Sequence, residues 1–367
     1  MVGRDGAVAD EIGRAPSPAK WAGSRVFLTG HTGFKGSWLL TWLNGMGAVV
    51  TGYSLEAEPG SLGEVLGHGA ADIGDIRDGA ALASAMQAAE PSVVFHLAAQ
   101  ALVRRSYAEP VETFAANVMG TAHLLEAVRQ TPSVKAVVVI TTDKCYENRE
   151  WDWPYRETDA LGGHDPYSAS KAGAELAVAA WRRSFLAVPG ERRQVAVASA
   201  RAGNVVGGGD WSTDRLVPDC IRAFGAGETV RIRNPAATRP WQHVLDPLCG
   251  YLVLAERLLD GDPVAEAWNF GPGMEDVRPV TDVIGILAEA WGGNAGWALD
   301  AGSHAHEAGL LAVDAARART RLGWRSRLPL HTALYRTASW YRRHGAGEDA
   351  RTLILEDIAY FGGSPTS

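Results

Sequence analysis

The chain has 367 residues, of which 46% are hydrophobic and 21% charged, and a formal net charge of −7. These are the proportions of a globular protein long enough for one large α/β unit or two coupled lobes. A mildly acidic chain without a long basic run gives no electrostatic case for nucleic acid or membrane binding, and no window is long and apolar enough to span a bilayer.

Residues 1–20 mix Gly, Ala, Asp, Glu and Pro around no apolar signal-peptide core and read as a loose arm. A first strand is expected at Arg25–Thr29. A helix at Gly36–Met46 follows, with Leu39, Trp42, Leu43 and Met46 spaced to form one buried face. Ala48–Tyr53 is the next strand. A short segment at Ala71–Ile76, an alanine-rich helix near Asp78–Ala89 and a strand at Ser92–Leu97 continue the pattern. Thr113–Arg129 reads as one long helix with Phe114, Val118, Ala122 and Leu125 on one side. Val134–Thr141 is continuously apolar, the signature of a strand covered on both faces of a parallel sheet. A helix at Asp165–Phe185 and a strand at Gln194–Ala200 complete an alternation that predicts an α/β fold with a doubly wound parallel sheet.

After about Arg201 the rhythm breaks, with Gly, Pro and Trp interrupting short segments. Residues 21–202 plus 244–273 are expected to form a dinucleotide-binding domain. Residues 203–243 plus 274–367 are expected to form a smaller mixed α/β substrate-binding lobe. Cys145, Cys220 and Cys249 fit neither a disulfide framework nor a zinc spacing, so they read as reduced thiols of a cytoplasmic protein without a metal site.

Between the first strand and its helix lies Thr29-Gly30-His31-Thr32-Gly33-Phe34-Lys35-Gly36. Glycines at this strand-to-helix turn let backbone N–H groups approach a pyrophosphate, and the helix N-terminus adds a favourable partial charge. Farther on, Tyr167 and Lys171 stand at i and i+4, on one helix face. A tyrosine near its ordinary pKa of about 10 is a poor base, and a neighbouring ammonium favours its phenolate. The strand ending at Thr141 runs into Thr142-Asp143-Lys144, at the carboxyl edge where open α/β sheets bind ligands.

The GxxGxxG loop with YxxxK resembles the extended short-chain dehydrogenase/reductase superfamily. The resemblance implies NAD as cofactor, held by Gly30, Thr32, Gly33, Phe34, Lys35 and Gly36, by Asp75 and Ile76 at the adenine, and by Leu97, Ala98, Ala99, Asn117, Thr141, Tyr167 and Lys171 toward the nicotinamide. The second strand ends Gly52-Tyr53-Ser54, without the acid that usually reads a ribose hydroxyl, and no arginine stands there for a 2′-phosphate.

An acid and an amine after Thr142 are more chemistry than carbonyl reduction needs. The stretches GHTGFKGSWL (30–39), DKCYENREW (143–151), GGHDPYSASK (162–171), ARAGNVVGGGDW (200–211) and RPWQHVLDPL (239–248) are similar to the CDP-glucose 4,6-dehydratases. In that family's chemistry Thr142 and Tyr167 hold the sugar's C4 hydroxyl and Tyr167 takes its proton. Asp143 supplies the acid for water loss, and Lys144 occupies the position of a base. Because a lysine accepts a proton only when neutral, the roles of Asp143 and Lys144 stay open to exchange. Asn204 and Arg239 are implied to contact the substrate's phosphates, and Arg215, Arg231 and Arg233 are weaker candidates for substrate binding. A nucleotide sugar, CDP-glucose first, is the expected substrate. The helix face around Phe114 and Val118 and the outer face of the Tyr167 helix are candidates for a homodimer contact or a larger homo-oligomer. Of the tryptophans near the second lobe (Trp151, Trp153, Trp211, Trp241), one is a candidate for stacking on the base and most are expected to pack. The rival readings are another sugar-nucleotide dehydratase, a 4-epimerase, and a non-catalytic dinucleotide-binding sensor.

Overall fold

The structure is a computed structural model that describes residues 13–68, 73–187, 193–293, 295–300, 302 and 308–363. Six strands, β1 (Arg25–Thr29), β2 (Val49–Tyr53), β3 (Val93–His96), β4 (Ala136–Ile140), β5 (Ala196–Ala202) and β9 (Ala267–Phe270), form one parallel sheet in the order β2-β1-β3-β4-β5-β9. Strands β6 (Asn204–Val206), β7 (Val230–Ile232), β8 (Thr238–His243), β10 (Val277–Pro279) and β11 (Trp297–Leu299) make two small sheets, β10-β8-β6 and β11-β7.

The apolar runs of the central strands are divided between two cores. From β1 and β4, Val26, Leu28, Ala136, Val138 and Ile140 point to one face, while Phe27, Val137 and Val139 point to the other. Covering both faces is what makes these strands read as unbroken hydrophobic runs. The chain passes from β1 to β2 on one side and returns to β3 on the other. The order therefore reverses between β1 and β3, and the crevice outside their carboxyl ends is the place for a ligand.

The expected single helix over Thr113–Arg129 is instead Pro110–Phe114, a π-helical turn at Ala115–Met119 and Gly120–Gln130. The stripe through Phe114 and Val118 does not face the sheet. Phe114 is exposed, and Val118 packs against Gly173 of the Tyr167 helix, while Asn117, Thr121, Leu124 and Val128 turn inward. Within this wide turn polar Asn117 is buried, bonded to Gln100 and Ser170, and the neighbouring Ala116 lines the crevice. Of the segment expected at Ala71–Ile76, residues 71 and 72 lie outside the described residues, and Ile73 bridges Ser54 in parallel.

The helix Leu245–Leu259 packs against β4 and β5 and leads to β9, which pairs with β5 at the edge of the large sheet. Parts of the C-terminal segment also come back. The helix Ala350–Phe361 lies against Phe34–Gly45, Trp324 Nε1 donates to Asp246 O at 3.0 Å, and the Arg327 N–H donates to the Asp246 carboxylate at 2.6 Å. Trp241 joins the core, with its Nε1 donating to Arg278 O, whereas Trp151 stacks on Tyr155 and Trp153 stays exposed.

The arm expected over residues 1–20 is anchored where it is described. The Ser17 N–H and Trp21 Nε1 both donate to Glu256, at 2.6 and 2.9 Å, and Arg327 donates to Gly13 O. Trp21 is fully buried. Trp21→Ala leaves a cavity and removes one partner of a buried carboxylate. It should lower the unfolding free energy by about 3–5 kcal/mol in chemical denaturation, and a loss below about 1 kcal/mol would show that the anchor contributes little.

Candidate active site

Strand β1 closes into its turn at Gly30, whose φ of 75° is in the left-handed region, and the helix Phe34–Gly45 starts four residues later. A Cβ on Gly36 would lie 2.0 Å from Gly30 O, so turn and helix touch backbone to backbone. Gly33 is the N-cap and offers no side chain, which leaves the first-turn N–H groups free of side-chain capping beside a cavity of about 1170 Å³. Thr32 donates to Leu55 O at 3.0 Å and shares a 2.7 Å hydrogen bond with Ser54, fastening the turn to the end of β2. These features fit the pyrophosphate of a dinucleotide.

Beyond β2, the Asp75 carboxylate is gripped through both oxygens by Arg77, which holds it below its ordinary pKa. Ile76 is buried against Gly120 while lining the same cavity. No acid stands at the end of β2, but Glu56 and Glu58 line the cavity just beyond it. Sequence reasoning looked for that carboxylate at the strand end and passed over both.

Leu97, Ala98 and Ala99 line the cavity after β3. Asn117 stands behind them with its amide fully used. It donates to Gln100 O at 3.0 Å and Ser170 Oγ at 2.8 Å, and accepts from the Gln100 N–H at 2.9 Å. It thus joins the β3 loop to the Tyr167 helix.

That helix, Pro166–Trp181, begins with Pro166 at its first position, capped by Asp165, which accepts from the Ser168 N–H at 2.9 Å. The cap aims Tyr167 and Lys171 at the end of β4. There Thr142 caps a 3₁₀ turn over Asp143–Cys145, accepting from the Lys144 N–H at 3.3 Å and donating to the Asp143 carboxylate at 3.0 Å. Tyr167 and Thr142 both line the cavity. Burial pushes Tyr167 up to about 12, opposed by the nearby Thr142 hydroxyl and the Arg215 charge. Lys171 donates to Ile140 O at 3.3 Å, and burial lowers it to about 8 although Glu175 works to raise it. Asp143 is raised by burial, against the attractions of Lys144, Arg239 and Lys35.

Lys35 belongs to the glycine loop, yet its charge interacts with Lys171, Arg215, Asp143 and Asp210. Burial first, then Arg215 and Lys171, bring it down to about 8. It therefore stands between the dinucleotide turn and the end of β4. Thr141 turns the other way, donating to Glu175 at 2.5 Å.

Glu175, one helical turn beyond Lys171, was not singled out from the sequence. It is buried, accepts from Thr141, from Ser199 at 2.7 Å and from Arg201 at 2.8 Å, and pairs with Arg201, itself buried. Burial alone would raise Glu175, but the Arg201 charge and these hydrogen bonds hold it below its ordinary pKa. The i, i+4, i+8 spacing of 167, 171 and 175 was a usable signal.

From the second lobe, Asn204 lies opposite Trp241 in the β6–β8 pairing, and both line the cavity. Arg215 donates to Asp210 at 2.9 Å. The Arg239 guanidinium donates to the carbonyls of Thr238, Gly309 and Ala308 and adds its charge to the field at Asp143. Arg231 and Arg233 line the same cavity. Among the described residues, no group of His, Cys, Asp or Glu side chains is arranged to hold a metal ion.

Two outcomes are expected. Gly36→Ala should abolish NAD binding measured by calorimetry, since its Cβ cannot coexist with Gly30 O; unchanged affinity would refute the contact. With Lys171 at about 8, its ammonium is lost as pH rises past that value, so kcat/KM should fall on an alkaline limb there. Glu175→Gln removes the anion that favours the ammonium and should move that limb to lower pH. A limb that stays put would separate Glu175 from Lys171.

A family model described as "NAD dependent epimerase/dehydratase family" matches residues 26–271. The chain is 51% identical over 345 residues to the CDP-glucose 4,6-dehydratase of Salmonella typhimurium strain LT2, covering 92% of this chain and 96% of that one. The dTDP-glucose 4,6-dehydratase of Neisseria gonorrhoeae is 31% identical over 291 residues, which is 73% of this chain and 79% of that one. Among solved structures, DesIV, a dTDP-glucose 4,6-dehydratase from Streptomyces venezuelae with NAD and TYD bound, is 25% identical with a TM-score of 0.73. The match covers 89% of this chain and 99% of DesIV. By the span of the matching model and the identity to these relatives, the chain belongs to the NAD dependent epimerase/dehydratase family.

Proposed function

We propose that this chain is an NAD-dependent hydro-lyase that converts CDP-D-glucose to CDP-4-keto-6-deoxy-D-glucose. The carrying observation is near-full-length similarity to a CDP-glucose 4,6-dehydratase, together with an acid–amine pair beside Tyr167 at the end of β4. An epimerase has no use for that pair.

When bound, NAD accepts the hydride from sugar C4 and returns it at C6. Tyr167 takes the C4 hydroxyl proton, with Thr142 holding the hydroxyl and the Lys171 ammonium favouring the phenolate. Loss of the C4 hydride leaves a ketone that acidifies the proton on C5. Asp143 is the acid that protonates the departing C6 hydroxyl, and the burial that raises its pKa supports this half of the assignment. Lys144, on the same turn, accepts the C5 proton and later returns it. Asn204, Arg215 and Arg239 bind the pyrophosphate, a task suited to guanidinium geometry. The nucleotide-sugar site lies where residues 203–243 and the chain after 274 meet the large sheet.

A homodimer is part of this proposal. Val111, Phe114, Leu176 and Phe185 are exposed apolar side chains on the helices Pro110–Phe114 and Pro166–Trp181 and the turn Arg182–Leu186, and a second copy would cover them. No helix among the described residues is long and apolar enough to cross a membrane, and the three cysteines are buried and free. Both fit a cytoplasmic enzyme.

Incubation with NAD and CDP-, dTDP-, GDP- or UDP-hexoses should give a product lighter by one water from CDP-glucose alone. Asp143→Asn should keep NAD binding and C4 oxidation but slow water loss by about 10²-fold or more. Water loss from a different nucleotide sugar would discard the CDP assignment, and undiminished turnover of the variant would discard the acid.

A further inference from the structure

The carboxyl of Asp143 has two oxygens in different surroundings. Oδ1 accepts from the Thr142 hydroxyl at 3.0 Å. Oδ2 is buried and has no hydrogen-bond partner among the described residues. Since a donor already occupies Oδ1, the proton of the acid form belongs on Oδ2. What Oδ2 meets is Gly203, the residue that joins β5 to β6. A Cβ on Gly203 would lie 2.9 Å from Oδ2, 2.6 Å from Pro240 Cγ and 3.0 Å from Pro240 O. Gly203 does not have a positive φ, so its backbone would suit other residues, and it is the space around it that demands glycine.

We propose that Gly203 is a positioning residue for the elimination of water: its missing side chain lets Asp143 Oδ2 stand where it protonates the sugar's C6 hydroxyl. This inference rests on the dehydratase reading above. Gly203 and Asp143 both line the cavity, just beyond the neighbouring strands β5 and β4. Pro240 closes the other side of Gly203. It is buried, its ring is rigid, and its strand pairs with β6 and β10, so it yields less readily than a carboxylate on a rotatable stem. A methyl group at 203 therefore drives Oδ2 from its place and disturbs the bond from Thr142 to Oδ1. Asp143 is 1% exposed, and that burial favours its protonated form. The acceptor for the Oδ2 proton arrives with the substrate.

In the step itself the Oδ2–H bond breaks and its proton joins the C6 oxygen, which departs as water with the C6–O electron pair. The C5–H pair becomes the second C5–C6 bond, and the C5 proton goes to Lys144. No net oxidation accompanies this elimination. Oxidation at C4 comes earlier and uses Tyr167, so displacing Oδ2 separates the two steps.

Holoenzyme is mixed rapidly with CDP-glucose, with reduced-nicotinamide absorbance reporting C4 oxidation and quenched product mass reporting water loss. Gly203→Ala should oxidise C4 at nearly the wild-type rate, accumulate reduced cofactor and lose water about 10²-fold more slowly. CDP-6-deoxy-6-fluoroglucose, whose fluoride departs without a proton from Asp143, should restore most of the lost rate. In the Asp143→Asn background the same alanine should change water loss by less than about twofold, because its effect runs through the carboxyl. Equal slowing of both steps, undiminished water loss, no gain from the fluoro sugar, or a full extra penalty in the Asp143→Asn background would each overturn the proposal. Should the alanine variant fail to fold, wild-type protein loaded with NADH, which cannot take the C4 hydride, carries the test. At mildly acid pH its carboxylic-acid infrared band, identified by its loss in Asp143→Asn, should shift when CDP-glucose binds and stay in place with a CDP-pentose that lacks C6. The same response to both sugars would show that Oδ2 does not meet the C6 hydroxyl and would sink the proposal. Failure of the wild-type protein to dehydrate CDP-glucose would instead remove the reading on which the inference rests.

Discussion

Ionisable groups kept out of water must be neutralised by their neighbours, and the carboxyl end of β4 gathers several of them. Glu175 sits below the Tyr167–Lys171 pair and is held ionised by Arg201 from β5. Asp143 sits above it among Lys144, Arg239 and Lys35. The two carboxylates differ in what surrounds them. Glu175 is saturated by three donors, whereas Asp143 receives one hydrogen bond and is raised by its burial. One environment fixes a charge in place, and the other leaves a proton available to move. Much of the architecture follows, since the cations beside Asp143 come from three separate segments: the glycine loop, the β4 turn and strand β8.

The same helix serves as wall and as exterior. Its inward side presents Tyr167, Lys171 and Glu175, while Leu176 is exposed, as is Phe185 of the following π turn. Asn117 ties this helix, through Ser170, to the loop that follows β3. The floor beneath the expected nicotinamide and the helix carrying Tyr167 are therefore one connected unit.

Much of this was legible in the sequence, for identifiable reasons. Strands with both faces buried announce themselves as unbroken apolar runs, so β1, β3 and β4 fell within a residue or two of expectation. The glycine loop, the tyrosine–lysine pair and the Thr142-Asp143-Lys144 turn are local in sequence and could be read directly. What escaped depends on contacts between distant segments. The inward face of residues 113–129 could not be chosen, because a π turn shifted the register and polar Asn117, rather than Val118, turned into the interior. Glu175 looked like an ordinary helix residue until Ser199 and Arg201 arrived from β5. The anchoring of residues 13–21 needed Glu256 and Arg327, far along the chain.

That anchoring has a consequence for how the polypeptide is made. Trp21 is joined to a partner 235 residues later, and Gly13 to one 314 residues later. During synthesis Trp21 can meet Phe95 early, but the carboxylate that its indole N–H donates to is made only when most of the chain has emerged. Contacts of such sequence separation slow folding and prolong the exposure of apolar surface. The amino-terminal segment therefore reaches its final anchoring only after residue 327 has been made.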